Sequence, residues 1–215
     1  MNNLQPIKLL PARERVASAL RKAIMSKDLL EGETITLDGI ASQLGVSNTP
    51  VREAFQILAR DGLIKLNPNK GAEVLGVNIK FLKDHYETRA ILESAAAAMV
   101  CKNGTDICEI VRIYEKSEYE LSQGDTKDYS NDNQAFHMAI WLAAGNEKIT
   151  ALLSELWNGL SMGQSVTQED YAKLSIGEHK LIVDAIIKKK AQKAQELMYK
   201  HIMRSLDNIL TRFEK

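Results

Sequence analysis

The chain has 215 residues, 45 % of them hydrophobic, and its 28 basic side chains are balanced by 28 acidic ones. That length and apolar content support two domains with sizeable cores, and zero net charge argues against a surface that binds nucleic acid all over. No basic segment followed by an apolar one opens the chain and no apolar run approaches the ~20 residues of a membrane helix, so a cytoplasmic location is expected. Cys101 and Cys108 are too few and too oddly spaced for a disulfide framework or a thiolate zinc site.

Met1 to Leu10 reads as a loose arm. From Pro11 to Lys27, Val16, Leu20, Ala23 and Ile24 recur at helical spacing and predict a first helix, with Arg13, Arg15, Arg21 and Lys22 along a solvated face. Leu29 to Glu33 turns through Gly32, and Ile35 can add a short strand. Thr36 to Leu44 (TLDGIASQL) predicts a shorter helix capped by Thr36. Gly45 suits a turn that needs positive φ, with Val46 as a buried plug behind it. Ser47 and Thr49 can both cap the next helix, and Pro50 is acceptable only in a first turn, so that helix starts here. Val51, Ala54, Phe55, Leu58 and Ala59 share its inner face, which leaves Asn48, Thr49, Arg52, Gln56 and Arg60 outward. Leu63 to Leu66, Asn67 to Gly71 and Ala72 to Leu75 then read as strand, turn, strand.

Taken alone, the helix after Gly45 reads equally well as an ordinary amphipathic helix with a polar outer face. Its flanks favour a winged helix-turn-helix whose second helix enters a major groove. Asn48, Thr49, Arg52 and Gln56 are then the candidate DNA contacts on the helix, and Lys70, with Lys65, charges the wing for phosphate or minor-groove contact. Residues 1–77 carry 10 Lys and Arg against 8 Asp and Glu, and the remainder 18 against 20, so the two parts hold about +2 and −2. The run GVSNTPVREAFQILARDGLI, followed by NPNKGAEV, resembles the winged helix-turn-helix of GntR-family bacterial transcription regulators. That family most often has Arg where this chain has Asn48. Arg reads guanine bidentately whereas Asn suits adenine, so the resemblance implies an operator of its own.

Gly76-Val77-Asn78 is the predicted boundary, dividing the chain into residues 1–77 and 78–215. Beyond it six helical patterns follow: Ile79 to Cys101, Asp106 to Leu121, Thr126 to Ala144, Lys148 to Met162, about Tyr171 to Lys188, and Ala191 to Phe213. Joined by short connections they predict an all-α antiparallel bundle, and the fold class is mostly α with a small β-hairpin wing. Asn133 and His137 are four apart and share a helix face. His179 and His201 each lie about ten residues from the turn near Lys188 to Lys190, which levels them on antiparallel helices. Three imidazoles and one amide oxygen can then converge, although spacing alone serves equally for three unrelated histidines. His85 is assigned to the surface, and Trp141 and Trp157 to the core.

Arg89-x-x-Leu92-Glu93, Asn133-x-x-Phe136-His137 and the single histidines 179 and 201 are similar to the FCD-type effector domain of the FadR branch of GntR regulators. The resemblance implies a divalent metal, zinc or nickel ahead of manganese, on His137, His179 and His201, with a small carboxylate-type effector against it. The family's acidic ligand is Asn133 here, a neutral and weaker donor, and Asp132 points about 100° away around the helix. Arg89 can clamp the effector's carboxylate or pair with Glu93. The resemblance further implies a homodimer on a palindromic operator, with repression relieved by effector. The competing readings are a metal-dependent enzyme on the bundle and a regulator whose bundle holds no metal.

Overall fold

The computed structural model describes residues 11–68, 70–77, 79–102, 104–157 and 167–211, so the expected N-terminal arm lies outside the described residues. The chain divides into two compact units, Met1–Val77 and Asn78–Lys215.

The first unit runs α1 (Ala12–Met25), β1 (Thr34–Ile35), α2 (Leu37–Leu44), α3 (Asn48–Arg60), β2 (Ile64–Asn67) and β3 (Gly71–Val74). The Thr36 hydroxyl accepts from Gly39 N at 3.1 Å and starts α2, while Gly45, at φ 64°, ends it in a left-handed turn closed to L side chains at little cost only for glycine. Pro50 sits in the first turn of α3, where its missing N–H leaves no intrahelical bond unmade. Val51, Ala54, Phe55 and Leu58 bury the inner face of α3, which packs on α1 with its Val16, Leu20 and Ile24. Ala59 and Val46 are only half-buried. Val46 is therefore not the plug the sequence suggested: its N–H closes the turn on Ala41 O at 3.0 Å, and its side chain stays at the edge of the core.

Arg21 departs from the solvated face predicted for α1. It is 3 % exposed, and its guanidinium meets Asp61, the residue ending α3, at 2.7 Å, because α1 lies against α3. The three strands pair antiparallel in the order β1-β3-β2, with Ile35 opposite Ala72 and Asn67 opposite Gly71. β2 and β3 form the wing, anchored by buried Ile64, Ala72 and Val74.

The second unit is all helical among its described residues: α4 (Ile79–Val100), α5 (Cys108–Ser122), α6 (Tyr129–Ala143), α7 (Glu147–Leu156), α8 (Gln168–Ile187) and α9 (Ala191–Leu210). α4 packs most extensively on α9, with Ala96 and Ala97 fully buried where the alanine run lets helices approach. α9 also packs on α8, and α5 lies against α6 and α8. Thr167 caps α8 by accepting from Asp170 N, so that helix begins earlier than predicted. Residues 158–162 of the expected fourth helix and 212–213 of the last lie outside the described residues. The core centres on Tyr86, Phe136, Trp141, Leu153 and Tyr171. His85 belongs to it rather than to the surface, because it lies on the buried side of α4 between the rings of Phe81 and Tyr86.

Candidate functional site

Three helices bring the histidines together. His137 of α6, His179 of α8 and His201 of α9 are each at most 3 % exposed. Nε2 of His201 lies 3.2 Å from Nε2 of His137 and 3.3 Å from Nε2 of His179. All three ligand atoms fall within 4.8 Å of one another. Phe136 stacks on His179 at 4.0 Å between centroids and fixes that ring.

Two carboxylates settle how the other rings are protonated. His137 Nδ1 lies 2.5 Å from Glu93 of α4, and His201 Nδ1 lies 2.6 Å from Glu178 of α8. Burial alone would push Glu93 up, but His137 and Arg89 outweigh it and hold its carboxyl down at about 2. Burial also works against ionised Glu178, yet His201 and Arg204 keep it below the usual carboxylate range. An ionised carboxylate can only accept, which assigns the proton to Nδ1 on both rings. Burial lowers His201 to about 4 and His179 well below the ordinary histidine value, so these rings are neutral near pH 7. The Nε2 atoms of His137 and His201 face each other across 3.2 Å. A tetrahedral ion bound at 2.0–2.1 Å puts ligand nitrogens about 3.3–3.4 Å apart, close to the spacing of His201 Nε2 from the other two Nε2 atoms.

Asn133 is one turn before His137 and buried, and its Oδ1 makes no hydrogen bond. Asp132 is turned away and holds Lys116 of α5 at 2.6 Å. Arg89 is 4 % exposed; its Nε and Nη2 both donate to Glu93 Oε1, at 3.0 and 2.7 Å, and its guanidinium lies over the rings of Trp157 and Tyr86. Trp141 donates to the other Glu93 oxygen at 3.2 Å. Sequence reasoning passed over Glu178 and Arg204, whose Nε donates to Glu178 at 2.7 and 2.8 Å. The signal was present: Glu178 adjoins His179, and Arg204 follows His201 by three, a spacing that shares a helix face.

In the first unit, Asn48, Thr49, Arg52, Gln56 and Arg60 are all exposed along α3, as is Lys70 in the wing turn. Arg52 and Lys70 line one open cleft with Asp38 and Leu66. Asn48 Nδ2 donates to Asp38 Oδ1 at 2.6 Å, so its carbonyl oxygen is the part turned away from α2. No described helix is long and apolar enough to cross a membrane.

A winged helix-turn-helix in one unit and an all-helical second unit with a buried histidine cluster point to the class of DNA-binding proteins. Residues 12–74 match the family model described as bacterial regulatory proteins, gntR family, and residues 84–204 match that of the FCD domain. The chain belongs to the GntR family of transcription regulators with an FCD domain; it is a DNA-binding regulator and not an enzyme. It is 31 % identical over 199 residues to a probable D-xylose utilization operon transcriptional repressor of Paenarthrobacter nicotinovorans, covering 88 % of this chain and 87 % of that one. It is 27 % identical over 214 residues to the gluconate operon transcriptional repressor of Bacillus subtilis, covering 93 % and 84 %. Its fold is similar to that of McbR/YncC of Escherichia coli, with a TM-score of 0.73 at 21 % identity, over 96 % of this chain and 100 % of that one.

Proposed function

We propose that the chain is a cytoplasmic, homodimeric repressor whose operator affinity is set by a small organic acid bound at a divalent metal in the bundle. Residues 1–77 act as the DNA-reading domain, with Asn48, Thr49, Arg52 and Gln56 on the recognition helix and Lys70 on the wing, and residues 78–215 act as the sensor and dimerisation domain. The observation that carries the metal is the convergence of three buried imidazoles, with His201 Nε2 3.2 Å from His137 Nε2 and 3.3 Å from His179 Nε2, on rings held by Glu93 and Glu178. His137, His179 and His201 would hold the ion, with Asn133 Oδ1 as the oxygen donor that otherwise stays unsatisfied in the interior. Imidazole-rich donors with one neutral oxygen favour zinc or nickel; manganese prefers more carboxylates.

When bound, such an ion supplies an electrophilic point for an oxygen of the effector. The protein's own residues set that point up: Glu93 and Glu178 orient His137 and His201 and raise their basicity, and Phe136 and Trp157 keep water out. Arg89 contacts the effector only through the edge that Glu93 leaves. The operon names of the two relatives, for gluconate and D-xylose, support an oxygen-rich small molecule as the effector class. Binding shifts the population between arrangements of the two DNA-reading domains, and coupling of this kind changes operator affinity about 5–150-fold.

Elemental analysis of protein purified without chelator or affinity tag tests the reading, together with operator titrations before and after metal removal. About one ion per chain is expected, lost in His137→Ala, His179→Ala and His201→Ala. A native protein without metal, or equal metal in all four proteins, removes the metal centre from the mechanism.

A further inference from the structure

The two sides of α8 carry different chemistry. Ala172, Ile176, Ile182, Val183 and Ile186 are buried and share the side of the helix that packs into the bundle, where α8 meets α9 and α5. On the opposite side Asp170, Leu174, Gly177, Leu181 and Lys188 follow one another at steps of four, three, four and seven, so they form one straight seam. All five are exposed, Leu174 by 50 % and Leu181 by 51 %.

A lone exposed leucine is ordinary, but two in register about a helix-interior glycine need a reason. Glycine weakens a helix interior, yet a Cβ at Gly177 would meet nothing within 4 Å, so no contact inside the chain calls for it. On an outer face, a glycine lets a second backbone come close. The two ends of the seam carry opposite charge, Asp170 in the first turn of α8 and Lys188 just past its last. Neither makes an ion pair among the described residues, whereas Lys173 and Lys180 on the flanks hold Glu169 at 2.6 Å and Glu118 at 3.6 Å.

A seam that is acidic at one end and basic at the other complements a copy of itself only when that copy is turned end for end. The midpoint of Leu174 and Leu181 falls just past Gly177 and that of Asp170 and Lys188 falls at position 179, about 2 Å apart along the axis. One two-fold axis therefore serves both pairs: it sets leucine beside leucine, glycine beside glycine and each acid near the other copy's lysine, as an isologous contact requires. The antiparallel arrangement also opposes the two helix dipoles favourably. We propose that this face of α8 is a self-association surface, on which a second copy of the chain docks its own α8 antiparallel. The proposal gives the homodimer reading above a specific contact and rests on it.

Sedimentation equilibrium of the full chain tests it. The native chain is expected as a dimer, and Leu174→Lys combined with Leu181→Lys should raise its dissociation constant at least about a hundredfold, with an unchanged circular dichroism spectrum because both side chains already stand half in water. Gly177→Ala should move two readouts in opposite directions, raising the melting temperature of the dilute monomer while weakening the dimer about tenfold. Lys188→Asp should weaken pairing about five- to tenfold and the further change Asp170→Lys should restore it, which a purely local role for either side chain would not do. With Cys108→Ala removing the exposed native thiol, oxidised Gly177→Cys should cross-link two chains, and Asp170→Cys should not, since antiparallel pairing holds it more than ~20 Å from its mate. Dimers that keep native affinity in the double leucine variant, or Asp170→Cys cross-linking as readily as Gly177→Cys, overturn this face and leave the homodimer to another. A native chain that sediments as a monomer throughout overturns the homodimer reading itself, and this proposal with it.

Discussion

Replacing Glu93 with glutamine keeps the side chain's shape and removes its charge. Glu93 is fully buried and accepts from Arg89, His137 and Trp141 at once. In Glu93→Gln the Arg89 guanidinium, 4 % exposed, is left as a buried cation without a counter-ion, a loss that typically costs about 3–5 kcal/mol. An independent route agrees. Glu93 is held about 2.5 pH units below 4.5, at about 2, and at 1.36 kcal/mol per unit that is roughly 3 kcal/mol of stability near neutral pH. For a chain of this size the melting temperature of the metal-free protein should fall by about 10 °C. Metal affinity should fall about 10–100-fold as well, since His137 loses the acceptor that orients it. Adding Arg89→Met to Glu93→Gln removes the stranded charge, and should recover much of the stability and none of the metal affinity. Thermal denaturation in chelator and metal titration read the two effects separately. A Glu93→Gln protein melting within about 2 °C of native in chelator would refute the argument.

Acid should destabilise the metal-free bundle in two stages. His201 and His179 have folded-state values below the unfolded one, so the unfolded chain binds more protons as pH falls from 6.5 towards about 4, and His201 alone contributes roughly 3 kcal/mol of loss across that window. Glu93 continues the loss from 4.5 down to about 2, and urea midpoints in chelator that stay flat from pH 7 to 5 would contradict the histidine part. Arg52→Ala should weaken operator binding by roughly 1–3 kcal/mol, and an unchanged dissociation constant at fixed salt takes Arg52 out of the interface. Asp38→Ala frees the Asn48 amide, which should shift one position of each half-site towards adenine, whose edge needs both a donor and an acceptor; selection from a randomised operator library reads it, and identical preferred sequences would mean that Asn48 touches no base. Gly71→Ala should cost at least about 2 kcal/mol, because at φ 89° its Cβ would fall 2.1 Å from Ile35 O and part β1 from β3; circular dichroism melting checks it, and a native melting temperature would show that the wing tolerates the change.

Local chemistry made the first unit legible. The Thr36 cap, Gly45, Pro50 and the three-four spacing from Val51 to Leu58 act within a few residues of one another, and each specified its element. The buried Arg21 was not legible, because its partner Asp61 is forty residues away and only the packing of α1 on α3 joins them. The bundle's histidines were recoverable because two of them flank a short turn and the third shares a helix face with Asn133. Their hydrogen-bonding shell was harder to see. Glu93 reaches His137 across 44 residues and Glu178 reaches His201 across 23, and nothing in either helix's own periodicity separates a carboxylate facing a histidine from one facing water. His85 was misassigned although it lies on the buried stripe of α4, three residues after Leu82 and four before Arg89: that stripe also carries polar Arg89 and Glu93, so it shows no clean apolar pattern.

The pairing of α4 with α9 has a consequence for the order in which the bundle assembles. The first helix of the unit finds its most extensive partner in the last, across roughly a hundred residues of intervening chain, so the contact that closes the unit carries one of its largest loop-closure costs and adds to its contact order. During synthesis α4 leaves the ribosome long before α9 exists, and the face it packs on α9 stays uncovered until the final helix arrives. α9 also carries His201. The same late event therefore completes the core and delivers a histidine of the cluster, so a nascent or truncated chain that lacks α9 has neither, and the cluster can form only in a unit that has closed.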